Sequence, residues 1–108
     1  MKRAADHINL SGEEVCAILS KIPPGKVSTY GDVARAVGHP KAARAIGRII
    51  ANNPHPVLVP CHRVVKSNGE IGGFAFGEQI KREILENEGV KFHNRFVKNF
   101  EEQRVTFE

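Results

Sequence analysis

Apolar positions fall at helical spacing in three stretches of this chain and at shorter, broken spacing between them. In the first, Val15, Ile18, Leu19 and Ile22 share one face. Ser11 and Glu14 make a capping box ahead of them, Leu10 and Val15 stand as a hydrophobic staple, and Pro23-Pro24-Gly25 closes the helix. Cys16 borders that stripe and reads as a packed thiol.

The second stretch, VSTYGDVARAVGHPKAARAIGRIIANNP at 27–54, predicts two short helices around a tight turn. Ser28 or Thr29 can cap the first, which buries Val33, Ala34 and Val37 and stops at Gly38. His39-Pro40 leads into the second, over roughly residues 41–52, at the spacing of a helix-turn-helix. That second helix has three sides: Ala42, Ile46, Ile49 and Ile50 for the core, a basic side of Lys41, Arg44 and Arg48, and between them Ala43, Gly47 and Ala51 without bulk. Small residues suit close packing on another helix. Bordering arginines, they equally suit close approach to a nucleic-acid groove, the reading we favour.

Beyond it, Val57–Val59 predicts a short buried strand, and RVVKSNGEI a hairpin with a type I′ turn at Asn68-Gly69. GGFAFG at 72–77 reads as a flexible loop carrying two aromatics. The third helical stretch, 78–88, turns Ile80, Ile84 and Leu85 inward, with Gly89 past its end; a strand is expected near 90–92, and the tail mixes two periods. The expected fold is α/β but mostly helical, a winged helix-turn-helix domain with a small β-hairpin wing.

Composition adds little to this until charge is placed along the chain. The 108 residues, 41% hydrophobic and 26% charged, fit one soluble domain. No apolar run is long enough to span a bilayer, Met1-Lys2-Arg3-Ala4 leads into polar sequence, and a cytoplasmic protein (nuclear in a eukaryote) is expected. Two cysteines give no disulfide framework. The net charge is +4, yet between Val33 and Gly69 there is no acid, while Arg35, Lys41, Arg44, Arg48, Arg63 and Lys66 all fall there. Such asymmetry marks a surface facing a polyanion.

Within that basic stretch Cys61 and His62 stand together after Pro60. A zinc site needs three or four ligands, and neither CxxC nor HxxxH spacing is present, so no metal is expected. A buried thiol beside a surface histidine is the ordinary alternative. Against it, His62 and Arg63 would favour a thiolate, and Pro60 fixes the backbone where the chain leaves a strand.

PCHRVV, together with GKVSTYGDVARAVG, KAARAIG, NP, GGF and LENEG, resembles the O6-alkylguanine-DNA alkyltransferases (methylated-DNA–protein-cysteine methyltransferases), in order and spacing from about Val15 to Gly89. The resemblance implies one DNA-binding and catalytic domain over 1–108 without the N-terminal domain most members carry. It also implies a monomer that needs no cofactor and acts on double-stranded DNA through the minor groove. It assigns Cys61 as the alkyl acceptor, His62 as a base acting through a water, Glu88 as the acid orienting it, Tyr30 as a donor toward the base, and Asn53 as a tie to the recognition helix. Arg44 would enter the stack where the base leaves, or contact phosphate; Lys41, Arg48, Ala43, Gly47, Ala51, Arg63 and Thr29 would face DNA. Pro60, Val64, Gly73, Phe74 and Ala75 would line the base pocket. The thioether formed on Cys61 would end the reaction after one turnover. Two departures matter. A chain of this length looks like the alkyltransferase-like proteins, which bind alkylated guanine without repairing it and usually have tryptophan or alanine where Cys61 stands. Phe76 replaces a usual glycine, which restricts the adducts expected to small ones such as methyl.

Overall fold

The computed structural model describes residues 12–52 and 59–107. Ser11, Leu10, Asn53 and most of the strand expected at 57–59 lie outside the described residues.

The first helix, α1 (Gly12–Leu19), buries Val15 and Leu19, and Ile22 follows into the same core after the chain has left the helix. A two-residue strand β1 (Ser28–Thr29) leads directly into α2 (Tyr30–Ala36). Thr29 caps α2: its hydroxyl accepts the Asp32 amide at 3.0 Å, satisfying one of the orphan donors of the first turn. Gly38, at φ +86°, takes the left-handed conformation that lets the chain turn. Then α3 (Ala43–Ala51) packs across α2. Val33 and Ala34 from α2, Ile46 and Ile50 from α3, and Val15 and Leu19 from α1 form one core cluster. Each fully buried Val, Ile or Leu contributes about 1.5–3 kcal/mol of transfer free energy.

Cys61–Arg63 form one turn of 3-10 helix, followed by strand β2 (Val64–Val65). The expected hairpin wing differs in detail. β2 pairs in parallel with β1, Ser28 opposite Val64 and Thr29 opposite Val65, which places the Cys-His turn beside the entry to α2. The turn after it is not type I′. Gly69 N–H donates to Lys66 O at 2.8 Å and only Gly69 (φ +89°) is left-handed, so Ser67 and Asn68 occupy an ordinary turn closed by a glycine bulge. Asn68 Oδ1 accepts the Glu70 amide, a local bond that supplies what a second left-handed residue would have.

The helix α4 (Glu78–Asn87) also departs from expectation. Its inward residues are Leu85 and Lys81, the lysine fully buried, while Ile80 is 40% exposed. Lys81 is satisfied in this inward position, its Nζ donating to the carbonyls of Val64 in β2 and Gly73 in the loop before α4. The tail, uninterpretable by period, makes a hairpin of β3 (Phe92–His93) and β4 (Phe96–Val97) and a single helical turn α5 (Phe100–Gln103). It returns alongside β1, where Val105 N–H donates to Val27 O at 2.8 Å and Val27 N–H to Gln103 O at 3.0 Å. Arg104 meets the buried Asp32 with two hydrogen bonds of 2.8 Å, and Arg35 also pairs with it. Burial pushes the Asp32 carboxyl up, but these cations and the Thr29 hydroxyl together hold it below its usual range.

Candidate active site

Parallel pairing of β1 with β2 brings Tyr30, Cys61, His62 and the C-terminal end of α4 to one place. Glu88 caps that end of α4. Its Oε2 accepts from His62 Nε2 at 3.0 Å and from Arg63 Nη2 at 2.6 Å, and its Oε1 accepts from Arg63 Nε at 3.0 Å. A carboxylate can only accept, so the imidazole hydrogen sits on Nε2 and the lone pair on Nδ1. Nδ1 is buried and has no protein partner among the described residues. Burial pushes the His62 pKa below its ordinary value, the Arg63 and Lys81 charges push the same way, and Glu88 only partly opposes them. His62 is therefore a neutral imidazole with an open acceptor near neutral pH. Glu88 itself is raised by burial, yet Arg63 and His62 together hold it below the carboxylate norm.

Cys61 is 2% exposed and belongs to the same apolar cluster as Val33, Ile46 and Val64. It is a packed thiol in the geometric sense, but charged groups reach it. Lys81 is the fully buried cation of the site, while Arg63 is committed to Glu88 and to Ile22 O at 2.8 Å, and His62 is neutral. Lys81 Nζ donates to Val64 O at 2.7 Å and Gly73 O at 2.9 Å. Desolvation lowers its pKa to about 8, with the Cys61 and Glu78 side chains pulling the other way. Tyr30 moves the other way, its pKa raised first by burial and then by Cys61, so its hydroxyl keeps its proton. The Tyr30 hydroxyl and Lys81 Nζ both stand 3.7 Å from where a Cβ on Gly72 would be, an ordinary contact, and it is the left-handed backbone at φ +74° that favours glycine there.

Lys81 is the residue of this cluster that sequence reasoning missed. A signal existed: Lys81, Leu85 and Glu88 fall four and three residues apart on one helical face, so a Glu88 that faces the site carries Lys81 with it.

A cavity of about 210 Å³ opens between Tyr30, Gly47, Ile50 and Ala51 on one side and Gly73, Phe74 and Ala75 on the other. Tyr30 and Phe74 pack directly on the cluster that contains Cys61. A broader groove of about 590 Å³ runs between α3 and the turn after β2, lined by Ala43, Arg44, Gly47, Lys66 and Asn68 among others. Arg44 is exposed along it, and Lys41 is exposed in the turn that precedes α3. Arg48, also exposed, lines a different groove, against α1. Two residues expected at DNA are elsewhere: Arg63 is turned inward, and Thr29 is 1% exposed with its hydroxyl committed to the cap. Pro60 is buried, Val64 presents its carbonyl to Lys81, and Asn53 is not described. Phe76 does not line the cavity. It is 59% exposed and meets Phe74 edge-on, ring centroids 5.6 Å apart. Among the described residues no three His, Cys, Asp or Glu side chains could hold a metal ion.

A helix-turn-helix whose second helix borders a cavity thus stands beside a buried cysteine, a neutral histidine and a buried lysine, the layout of a small DNA-binding domain. The family profile described as "6-O-methylguanine DNA methyltransferase, DNA binding domain" matches residues 11–90, and the chain belongs to that family. It is 46% identical over 71 residues to a methylated-DNA–protein-cysteine methyltransferase of Methanosarcina acetivorans, covering 66% of this chain and 46% of that protein. It is 45% identical over 74 residues to the protein of that name from Cricetulus griseus, covering 68% of this chain and 35% of that one. The chain thus spans about half or less of these relatives. Among solved structures it resembles S. pombe Atl1 in complex with damaged DNA containing O6-carboxymethylguanine, with TM-score 0.76 and 37% identity over 88% of this chain and 94% of that one. It also resembles Mycobacterium tuberculosis OGT in complex with DNA, with TM-score 0.70 and 40% identity over 71% and 48%.

Proposed function

We propose that this protein lays α3 against double-stranded DNA, takes an O6-alkylated guanine out of the stack into the cavity between Tyr30 and Phe74, and accepts the alkyl group on Cys61. The observation that carries the reading is the ring of groups around Cys61: a buried ammonium at Lys81, a neutral imidazole at His62 oriented by Glu88, and a protonated hydroxyl at Tyr30. Because Cys61 is sealed from bulk water, no intrahelical base can reach it, and the nucleotide must be extruded.

In this reading His62 Nδ1 takes the thiol proton through a bridging water, and Lys81 offsets the thiolate charge. The Cys61 Sγ–C bond forms as the O6–C bond breaks, and the electron pair stays on the purine. Tyr30 donates toward the purine and meets the charge it acquires. The product is a thioether that nothing in the site can displace, so each molecule reacts once. Arg44, standing exposed on the groove beside the cavity, fills the stack the base has left. No cofactor enters this scheme.

A second reading has its own support. The fold is similar to that of S. pombe Atl1, with TM-score 0.76, and the resemblance to alkyltransferase-like proteins implies lesion binding without transfer. One measurement separates the two. Incubated with a duplex carrying a single O6-methylguanine, the protein should gain one methyl on Cys61 by intact mass and peptide mapping, and Cys61→Ser should gain none. Tight lesion-selective binding with no mass gain establishes the second reading instead.

A further inference from the structure

The loop over the cavity, residues 71–77, contains Gly72, Gly73 and Gly77, and so has little intrinsic stiffness. Its two ends are nonetheless tied to a single side chain. Arg95, in the turn of the β3–β4 hairpin, places Nη1 2.8 Å from Glu70 Oε2 at the loop's start. The same guanidinium donates from Nε at 2.9 Å and from Nη2 at 2.5 Å to the two oxygens of Glu78 at the loop's end. The Arg95 carbonyl accepts the Ile71 amide at 2.9 Å, and Val97 N–H donates to Gly69 O at 2.9 Å. The hairpin is itself anchored: Arg82 on α4 donates to Asn94 O at 2.7 Å and lies over the Phe92 ring at 5.0 Å. Arg95 lies beyond residues 11–90, the part of the chain that the family profile covers.

We propose that Arg95 is a positioning residue for the base pocket: by holding Glu70 and Glu78 together, it fixes where Gly73, Phe74 and Ala75 stand opposite Tyr30. The inference rests on the reading of that cavity as the guanine site. Arginine is the residue type the geometry requires, because a planar fork can engage Glu78 with two donors while a third reaches Glu70. Lysine, a point charge with one nitrogen, cannot hold both carboxylates in this arrangement. The Arg95 side chain is 53% exposed, and exposed ion pairs add little to global stability. Its removal therefore releases the loop without unfolding the domain. Arg95 touches no reacting atom; it acts through the loop.

The test uses the full chain with Arg95→Ala and Arg95→Lys, the latter keeping the charge and losing the fork. Hydrogen exchange of the 71–77 amides is measured alongside the melting temperature. The ratio of affinities for a duplex with and without one O6-methylguanine is measured in a Cys61→Ser background, so that no transfer consumes the lesion. In both variants loop exchange should rise several-fold and lesion preference should fall several-fold, with the melting temperature held and, in Arg95→Lys, affinity for undamaged duplex retained. Unchanged loop exchange overturns the proposal, as does faster exchange with lesion preference intact. A normal Arg95→Lys beside a defective Arg95→Ala also overturns it, and makes Arg95 a phosphate contact. Absence of lesion preference in the parent protein sinks the guanine-site reading instead, and the exchange data then decide the clamp alone.

Discussion

Lys81 Nζ donates a 2.7 Å hydrogen bond to the carbonyl of Val64, three residues past Cys61. The ammonium is fully buried, and the second bond to Gly73 O leaves it held between β2 and the loop over the cavity. Replacing it by methionine keeps most of the stem's volume and removes the charge. Lys81→Met should fold, since losing a desolvated charge offsets the loss of two carbonyl partners at about 1–3 kcal/mol each. Methyl transfer should slow on the order of 100-fold, the scale of removing one preorganised charge from a reacting site.

The same lysine sets a pH limit. Its pKa is lowered to about 8, so the ammonium is present below that value and lost above it. Reaction with free O6-methylguanine, which avoids DNA titration effects, should decline above about pH 8 in the parent protein. A rate that climbs steadily through pH 9 and beyond would mean that the ammonium has no part in the reaction.

Acid should weaken the fold in two windows. Burial holds the folded His62 pKa below its ordinary 6.5, so the unfolded chain takes the proton first and stability begins to fall as pH drops below 6.5. Glu88 and Asp32 have folded values below 4.5 and 3.8; their stabilisation is present above those values and is lost as pH falls through the lowered ones. Denaturant titrations at stepped pH should show both losses, and His62→Gln should abolish the upper one. Glu88→Gln, which removes the negative charge between Arg63 and His62 and leaves one acceptor oxygen where there were two, should destabilise by about 3 kcal/mol, the scale of breaking a buried pair.

Gly47 separates two meanings of the small stripe on α3. Among the described residues a Cβ there would meet only Tyr30 Cε1, at 4.0 Å, so the stripe is not closed by tight helix packing at this point. Gly47→Ala should thus stabilise the domain by about 0.5–1 kcal/mol through helix propensity. If the stripe faces a DNA groove, affinity for duplex should fall in the same variant. Gain in stability with unchanged affinity removes the groove reading.

The helix-turn-helix was legible because its signals are local: the Thr29 cap, Gly38 and the apolar face of α3 all act within a few residues. The Cys61, His62 and Glu88 grouping was legible only through resemblance, since 26 residues separate Glu88 from His62 and no periodicity links them. Lys81 was hidden because hydropathy assigns lysine to solvent, and α4 was placed with Ile80 inward as a result. The tail was hidden for a different reason. Asp32 finds Arg104 at a separation of 72 residues, and the strand-like contact of Val105 with Val27 has no alternation to announce it.

Arg44 offers the sharpest division between handling DNA and chemistry at sulfur. It is exposed on the groove beside α3 and makes no contact with Cys61, His62 or Glu88 that would tie it to the reaction itself. Arg44→Ala should therefore leave the reaction with free O6-methylguanine near the parent rate. On duplex substrate the loss should exceed tenfold, on the order of 1–3 kcal/mol, because the unstacked site is no longer filled. The salt dependence of binding separates this from a phosphate contact: neutralising one phosphate changes the slope by about one unit, while a residue inserted in the stack alters extrusion with little change in slope. Equal losses on free base and duplex would place Arg44 in the scaffold of the pocket and remove it from base extrusion.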